Sequence, residues 1–219
     1  MSARVYGLDP SLSSTGVACV ELSETDPSGV AWMWTDHIAG PGHGCQRIDD
    51  IVRRTKVMLS VGGVGDRLTL VVVEAPIYRT PKLRTAAGTA EPSLRGYHER
   101  AGLWWALACM LKRAQIPFAT CPPANLKKWA TDNGNERKER VMLRVAAEFP
   151  QAEIGSNDEA DAFVCAMMGA HWLTGASFAA GYQYRTRALN GVEWPVSAAA
   201  LGWVSPAVAD QLTALSVAS

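Results

Sequence analysis

The chain has 219 residues, of which 48% are apolar and 19% are charged. This composition is typical of a folded globular protein and excludes a largely disordered one. The formal net charge is zero, but the charges are unevenly spread: residues 79–144 carry 13 basic and 5 acidic side chains, and residues 145–219 carry 2 and 7. A basic centre beside acidic segments suits a protein that binds a polyanion next to a carboxylate-rich site, although a solvated basic face would give the same counts.

Cysteine and hydropathy patterns exclude further classes of protein. The five cysteines are scattered without a C-x-x-C motif, so neither a disulfide framework nor a zinc site is predicted, and a reducing, cytoplasmic setting fits. The N-terminus has no signal-peptide pattern. Residues 162–181 lack charge but contain His171 and three glycines, and we expect a buried helix there instead of a membrane span.

The N-terminal segment predicts a strand, a tight loop and a second strand. Residues 5–8 form an apolar run that ends at Asp9, and residues 17–20 form another after a turn-rich loop. Residues 30–34 predict a third strand, so that the three would form an antiparallel meander. Asp9 would lie at the carboxyl end of a buried strand, where a carboxylate is costly unless a cation meets it. An Asp-Pro turn with a solvated acid is the alternative.

A second carboxylate follows the same pattern further along the chain. A helix is predicted over residues 46–60, and the uniformly apolar residues 68–73 predict a central strand that ends at Glu74. Open α/β sheets place their sites at the carboxyl ends of their strands. We therefore expect Asp9 and Glu74 to lie at the same edge of one sheet.

The basic middle of the chain begins with a long segment, residues 78–94, that has no periodicity. It is either a loop whose basic residues contact phosphates or a disordered linker. The candidate phosphate contacts are Arg79, Lys82 and Arg84. A helix is predicted over residues 95–114, and its centre, residues 101–111, is apolar almost all round. Such a helix should pack against the sheet on one side and against a second subunit or a further layer of its own chain on the other.

The next elements contribute lysines. Residues 116–121 predict the last strand, a short helix over residues 124–130 carries Lys127, and an amphipathic helix is predicted over residues 135–149. Lys138 precedes the inward-facing Val141 by almost one turn, so it lies on the stripe that faces the body of the protein. Its ammonium group either points at a site there or extends to the rim.

The last predicted helix begins with acids. Ser156 and Glu159 fit a capping box, so a helix should start at Ser156. Asp158 and Asp161 would share one face of its first turns, where two close carboxylates repel each other unless a cation neutralises them. Acids that merely complement the helix dipole are the alternative. The pattern fades after about residue 175, so we divide the chain into a domain over residues 1–174 and a C-terminal extension over residues 175–219, to which we assign no chemistry.

Together the four acids predict a metal site. Asp9, Glu74, Asp158 and Asp161 offer only oxygen ligands, which favours Mg²⁺ or Mn²⁺ over zinc. Four carboxylates can hold a pair of ions for an in-line displacement at phosphorus. Nearby lysines would hold the scissile phosphate and offset the charge of the transition state; the candidates are Lys127 and Lys138.

Four segments resemble successive motifs of the RuvC family of Holliday-junction resolvases, which has an RNase H-like fold. They read G-L-D-P-S-L-S-S-T-G, V-V-V-E-A-P, L-K-K-W-A-T-D-N-G-N-E-R-K and D-E-A-D-A, and the likeness spans about residues 5–173. The resemblance implies an α/β fold with a mixed five-stranded sheet, in which an antiparallel three-strand meander joins parallel strands and helices flank the sheet. It also implies the roles of metal-binding catalytic acids for the four acids named above, and of functional lysines for Lys127 and Lys138.

The resemblance further implies partners and products. The family acts as a homodimer that cuts opposite strands of a four-way DNA junction symmetrically and leaves 5′-phosphates. Here the helix around residues 101–111 would form the dimer, and each active site would hold two Mg²⁺ ions, or Mn²⁺ in their place. The expected location is the cytoplasm. For a phage-type member of the family, this would be the cytoplasm of the host cell.

The sequence also departs from the family pattern. Ser11 replaces a glycine, and Ile77 replaces an aromatic residue that stacks on DNA, with Tyr78 one place later as the substitute. Three alternatives stay open: a less selective nuclease for flaps and other branched DNA, a nucleotide-binding protein of the actin and sugar-kinase fold, which D-P-S-L-S-S-T-G also resembles, and a non-catalytic DNA-binding relic.

Overall fold

The computed structural model describes residues 3–23, 29–60, 68–76, 83–85, 88–90, 94–175 and 182–195. Within these ranges the strands are β1 (Ala3–Asp9), β2 (Thr15–Leu22), β3 (Val30–Ile38), β4 (Leu68–Glu74), β5 (Leu83–Thr85), β6 (Gly88–Ala90) and β7 (Phe118–Cys121). The helices are α1 (Gly44–Ser60), α2 (Leu94–Arg113), α3 (Pro123–Thr131), α4 (Lys138–Glu148), α5 (Asn157–Thr174) and α6 (Tyr182–Leu189), with a 3₁₀ turn at Pro150–Ala152.

Five strands form one mixed sheet in the order β3-β2-β1-β4-β7. The first three pair antiparallel, and β4 pairs parallel with both β1 and β7. The predicted combination of a meander with parallel strands is therefore confirmed. The register pairs Leu8 with Val73, so Asp9 and Glu74 lie side by side at the carboxyl ends of two neighbouring parallel strands. Strands β5 and β6 pair separately, within a segment that the sequence predicted as a loop.

Helices cover both faces of the sheet. Helices α1 and α2 pack on one face against a core that includes Leu8, Val71 and Leu107, and α3, α4, α5 and α6 pack on the other. Because the sheet is covered on both sides, the apolar residues 70–73 of β4 can all be buried. In the described ranges, no helix combines the length and apolar character that a bilayer crossing needs.

Helix α5 lies against the strands at very short range. A Cβ added at Gly7 would overlap the carbonyl oxygen of Ala162, and one added at Gly16 would overlap the carbonyl oxygen of Asp158. Two glycines in adjacent strands thus let the helix backbone rest on the strand backbones. As a result, the first turns of α5 lie directly over the end of β1.

The starts of α4 and α5 illustrate how local hydrogen bonds set helix boundaries. Ser156 Oγ accepts a hydrogen bond from the Glu159 N–H at 3.2 Å, which confirms the predicted cap of α5. The predicted start of α4 at residue 135 is wrong, because the helix begins at Lys138. The Asn133 side chain accepts a hydrogen bond from the Asn135 N–H at 3.0 Å, and this turn competes with the helix.

The described part of the C-terminal extension includes a helix that sequence periodicity did not predict. Helix α6 packs mainly on α3, and Ala188 and Val192 belong to the same core as α5. Beyond the helix, Glu193 pairs with Thr120 through two backbone hydrogen bonds of 3.0 and 2.9 Å at the edge of β7. The division of the chain at residue 174 stays a prediction, but the described part of the extension is packed onto the core.

Candidate active site

Three carboxylates meet at the carboxyl ends of the inner strands β1 and β4. Asp9 ends β1, Glu74 ends β4, and Asp161 lies in the second turn of α5. Each offers one ligand oxygen, and the three oxygens lie within 4.8 Å of one another. Asp9 and Asp161 are buried and Glu74 is half-buried. A cluster of oxygen ligands at this spacing suits a hard divalent cation. We call these three residues the acidic cluster.

Lys138 contacts the acidic cluster from the first turn of α4. Its Nζ atom lies 2.9 Å from Asp161 Oδ2 and 3.8 Å from Asp9 Oδ2. Val141 and Val145, on the same side of α4, are buried. Lys138 therefore lies on the side of α4 that faces the body of the protein, and its ammonium group contacts the carboxylates there.

The acidic cluster is electrostatically unfavourable without a further cation. Burial raises the pKa of Asp9 well above its usual range, and Glu74 raises it further. Burial also raises the pKa of Glu74, with a hydrogen bond from the Asp9 carboxyl group as a partial offset. Burial raises the pKa of Asp161 to about 6, against the effect of Lys138. For Lys138 itself, burial lowers the pKa, but Asp9 and Asp161 outweigh burial and raise the pKa overall. One ammonium group therefore does not compensate the three carboxyl groups of the acidic cluster.

The acidic cluster also contains an unsatisfied acceptor. Asp9 Oδ2 is buried and, among the residues that the structure describes, has no hydrogen-bond partner. A buried carboxylate oxygen without a donor is costly, and natural proteins rarely tolerate one unless a water molecule or an ion meets it. Both the donor set and this orphaned oxygen fit a divalent cation.

Asp158, the fourth predicted acid, lies beside the acidic cluster and does not belong to it. Its side chain is 26% exposed, and its Oδ1 atom lies 3.8 Å from Lys138 Nζ. The backbone of Asp158 rests on Gly16, which places its side chain nearer the rim than that of Asp161. The structure thus brings three of the four predicted acids together and leaves Asp158 within reach of the lysine.

The predicted DNA contacts are described only in part. Lys127 is half-buried on α3, and no ion pair joins it to the acidic cluster within the described ranges. Arg84 lies in β5, where only the backbone is described. The remaining candidates lie outside the described residues: Tyr78, Arg79 and Lys82.

Sequence reasoning missed two residues that support the site. Trp104 Nε1 donates a hydrogen bond to the backbone oxygen of Glu74 at 3.0 Å and so fixes the end of β4. His37 Nδ1 lies 3.1 Å from Glu159 Oε1, while Glu159 Oε2 accepts a hydrogen bond from the Gly155 N–H at 2.8 Å. These contacts join the start of α5 to β3. The position of His37 near the end of a third strand could have indicated it, whereas no local pattern indicates Trp104.

Comparisons with known proteins identify the fold. No family model matches the chain, and no curated protein matches it. The structure of Thermus thermophilus RuvC superposes with a TM-score of 0.55 at 14% sequence identity, over 88% of this chain and 99% of that chain. T. thermophilus RuvC in complex with a Holliday junction substrate gives a TM-score of 0.54 at 17% identity, over 75% and 90% of the two chains. At such identities the likeness shows the fold alone, and the predicted RNase H-like α/β fold is confirmed.

Proposed function

We propose that the chain is a metal-dependent, structure-selective DNA endonuclease that resolves four-way (Holliday) junctions by paired symmetric nicks and leaves 5′-phosphates. The observation that carries the proposal is the cluster of three carboxylate oxygens within 4.8 Å, with the Lys138 ammonium beside it. Support comes from the shared fold with T. thermophilus RuvC, which is known in complex with a Holliday junction substrate. Membership of a phage-type branch and a cytoplasmic location stay predictions.

In this proposal the carboxylates form the cation site. Asp9, Glu74 and Asp161 would hold one Mg²⁺, and Asp158 would help to hold a second; Mn²⁺ could replace either. When bound, such ions supply Lewis-acid stabilisation of the charge on the phosphate and lower the pKa of a water nucleophile. The protein contributes the burial of the carboxyl groups, which excludes water and strengthens every electrostatic interaction in the site.

Lys138 would act on the scissile phosphate. Because the pKa of its ammonium group is raised, the group stays charged at neutral pH. Its side chain is 45% exposed, so the ammonium group can reach both the acids and a phosphate outside. A fixed cation there stabilises the extra negative charge that develops on the phosphoryl oxygens. Lys127, on the neighbouring helix α3, would hold the same strand.

Helix α2 supports the proposal of a homodimer. One side of the helix packs on the sheet through Leu103, Leu107 and Leu111, which are fully buried. On the outer side, Trp105 is 57% exposed. An exposed tryptophan in the apolar centre of the helix, residues 101–111, marks a surface suited to association. Two copies joined there would present two active sites to the two strands of a branched DNA.

The test is cleavage of a synthetic four-way junction beside flap and linear duplex controls, with Mg²⁺ and then with EDTA. Paired, symmetric, ligatable nicks in the junction, lost in EDTA, are the expected result. Equal cutting of the flap would point to the less selective branched-DNA nuclease. ATP binding without any cutting would favour the nucleotide-binding alternative, and DNA binding without cutting at any metal concentration would favour the non-catalytic relic.

A further inference from the structure

A polar cavity lies on the α3, α4 and α6 side of the protein. Its volume is about 200 Å³, and its lining does not include the acidic cluster. The lining consists of two arginines, two hydroxyl-bearing residues and one acid, namely Arg140, Arg144, Thr131, Tyr184 and Glu136. We call this cavity the α3–α4–α6 cleft. Its donors are of the kind that bind phosphate oxygens.

The two arginines of the cleft are held only weakly by protein acids. Arg140 Nη1 lies 3.9 Å from Glu136 Oε2, and Arg144 Nε lies 3.8 Å from Glu148 Oε2. The arginine side chains are 74% and 55% exposed. Long, exposed ion pairs of this kind contribute little to stability. Both guanidinium groups can therefore turn to a phosphate at little cost, and their planar donors match it in a bidentate manner.

The cleft belongs to a wider basic surface. Arg140 and Arg144 are one turn apart on α4, and the exposed Arg137 precedes them on the same side of the helix. On α3, Lys127 is one turn before Thr131, whose hydroxyl donates to the Lys127 carbonyl oxygen at 2.9 Å. Cations on successive helical turns, on two adjacent helices, form an extended positive track. Such a track suits a polyanion with regularly spaced charges better than it suits a single small anion.

The third wall of the cleft is held rigidly. Arg185, next to Tyr184 on α6, is 1% exposed. Its Nη2 atom donates to both carboxylate oxygens of Glu148, at 2.8 and 2.7 Å, and its guanidinium group stacks 4.3 Å from the centre of the Trp129 ring. These contacts fix α6 against α4 and α3 at once. A binding wall that is already ordered loses less entropy when a ligand arrives.

We infer that the α3–α4–α6 cleft binds a backbone phosphate of a DNA arm, away from the phosphate that is cut. Arg140 and Arg144 are its charged donors, and the C-terminal extension completes it through Tyr184. The inference rests on the proposed function, because the DNA that occupies the cleft is the proposed substrate. It gives the described part of the extension a role in substrate binding that the acidic cluster does not require.

The first test measures how salt affects binding of a fluorescent four-way junction, with Ca²⁺ in place of Mg²⁺. The association constant falls as salt is added, and each lost phosphate contact makes the slope of log K against log salt less steep by about 0.9. For two proteins that bind equally at 1 M salt, this difference corresponds to about eightfold weaker binding by the variant at 0.1 M salt. Arg140→Gln and Arg144→Gln should each show this loss, and Glu136→Gln should bind more tightly. Arg53→Gln is the matched control, because Arg53 is exposed on α1, across the sheet. Thermal unfolding verifies that each variant is folded.

The second test locates the phosphate. Neutral methylphosphonates are placed one at a time along each arm of the junction. At one position the neutral linkage should weaken binding by the wild-type protein clearly more than it weakens binding by Arg144→Gln, in which only Arg140 still contacts that phosphate.

Two results would overturn the inference alone. One is that both arginine variants bind the junction with wild-type affinity and salt dependence. The other is that the neutral linkages weaken binding equally at every position, with none whose effect depends on Arg144. Failure of the wild-type protein to bind any DNA would overturn the proposed function as well.

Discussion

Replacing Asp161 by asparagine should stabilise the metal-free protein and abolish DNA cleavage. Burial raises the pKa of this carboxyl group from 3.8 to about 6, so the folded state binds the proton more tightly than the unfolded state does. The free energy of unfolding therefore falls as the pH rises from about 4 to about 6, and this loss of stability persists in full at higher pH. The gap between the two pKa values corresponds to about 3 kcal/mol.

The expected magnitude follows from that cost. In EDTA at pH 8, Asp161→Asn should be more stable than wild type by up to about 3 kcal/mol, or about 6 to 12 °C in Tm for a chain of this size. At pH 4 the difference should vanish, because the wild-type carboxyl group is then protonated too. Asp158→Asn is the matched control: it removes a charge from the same helix, three residues earlier, but at a side chain that is 26% exposed and lies outside the acidic cluster. Asp158→Asn should therefore change the Tm in EDTA at pH 8 only slightly.

Divalent cations should reverse the order of stability. Wild-type Tm should rise with added Mg²⁺ or Mn²⁺ as the folded state binds the ion, and Asp161→Asn should lose most of that rise. The variant should bind a four-way junction almost normally and fail to cut it. A variant that is less stable than wild type in EDTA at pH 8, or that keeps the full cation-dependent rise, would refute the assignment of Asp161 to a cation site.

Four further predictions follow from single residues. Lys138→Ala should slow single-turnover junction cleavage by about 10² to 10³-fold. It should also bind Mn²⁺ more tightly, because the ammonium group that repels the cation is lost. Arg140→Ala, by contrast, should mainly raise KM. Trp105→Glu should give a monomer by sedimentation that is still folded by circular dichroism, since Trp105 is 57% exposed. Burial lowers the pKa of His171 to about 4, so wild type should lose about 2 kcal/mol relative to His171→Gln between pH 7 and pH 5 in urea melts. Gly7→Ala should lower the free energy of unfolding by several kcal/mol in the same assay.

The strand ends and the direction of Lys138 could be predicted because each depends on a short local pattern. An apolar run that stops at an acid predicts both a buried strand and the carboxylate that ends it, as at Asp9 and Glu74. The apolar stripe of an amphipathic helix fixes which of its side chains point inward, and Lys138 lies on that stripe. Neither inference needs to know how distant segments pack.

Helix α6 and the placement of Asp158 depend on distant contacts, and the sequence could not predict them. A helix that buries an arginine has no apolar stripe to indicate it, and Arg185 is acceptable inside only because Glu148 and Trp129 come from two other helices. Likewise, two acids three residues apart share a helix face, but their spacing does not say which one reaches a given point. The rotation of α5 on the sheet decides in favour of Asp161.

That rotation is set by backbone contact, which makes two glycines without chemical function a requirement for the site. Gly7 and Gly16 admit the backbone of α5 where any Cβ would overlap a carbonyl oxygen of the helix. A methyl group at Gly7 must therefore push away the turn that carries Asp161. At Gly102 on α2, by contrast, an added Cβ would lie 3.4 Å from Ile48 Cδ1, an ordinary contact with a flexible side chain. If Gly7→Ala proved as harmless as Gly102→Ala, the close approach of α5 could not be what assembles the acidic cluster.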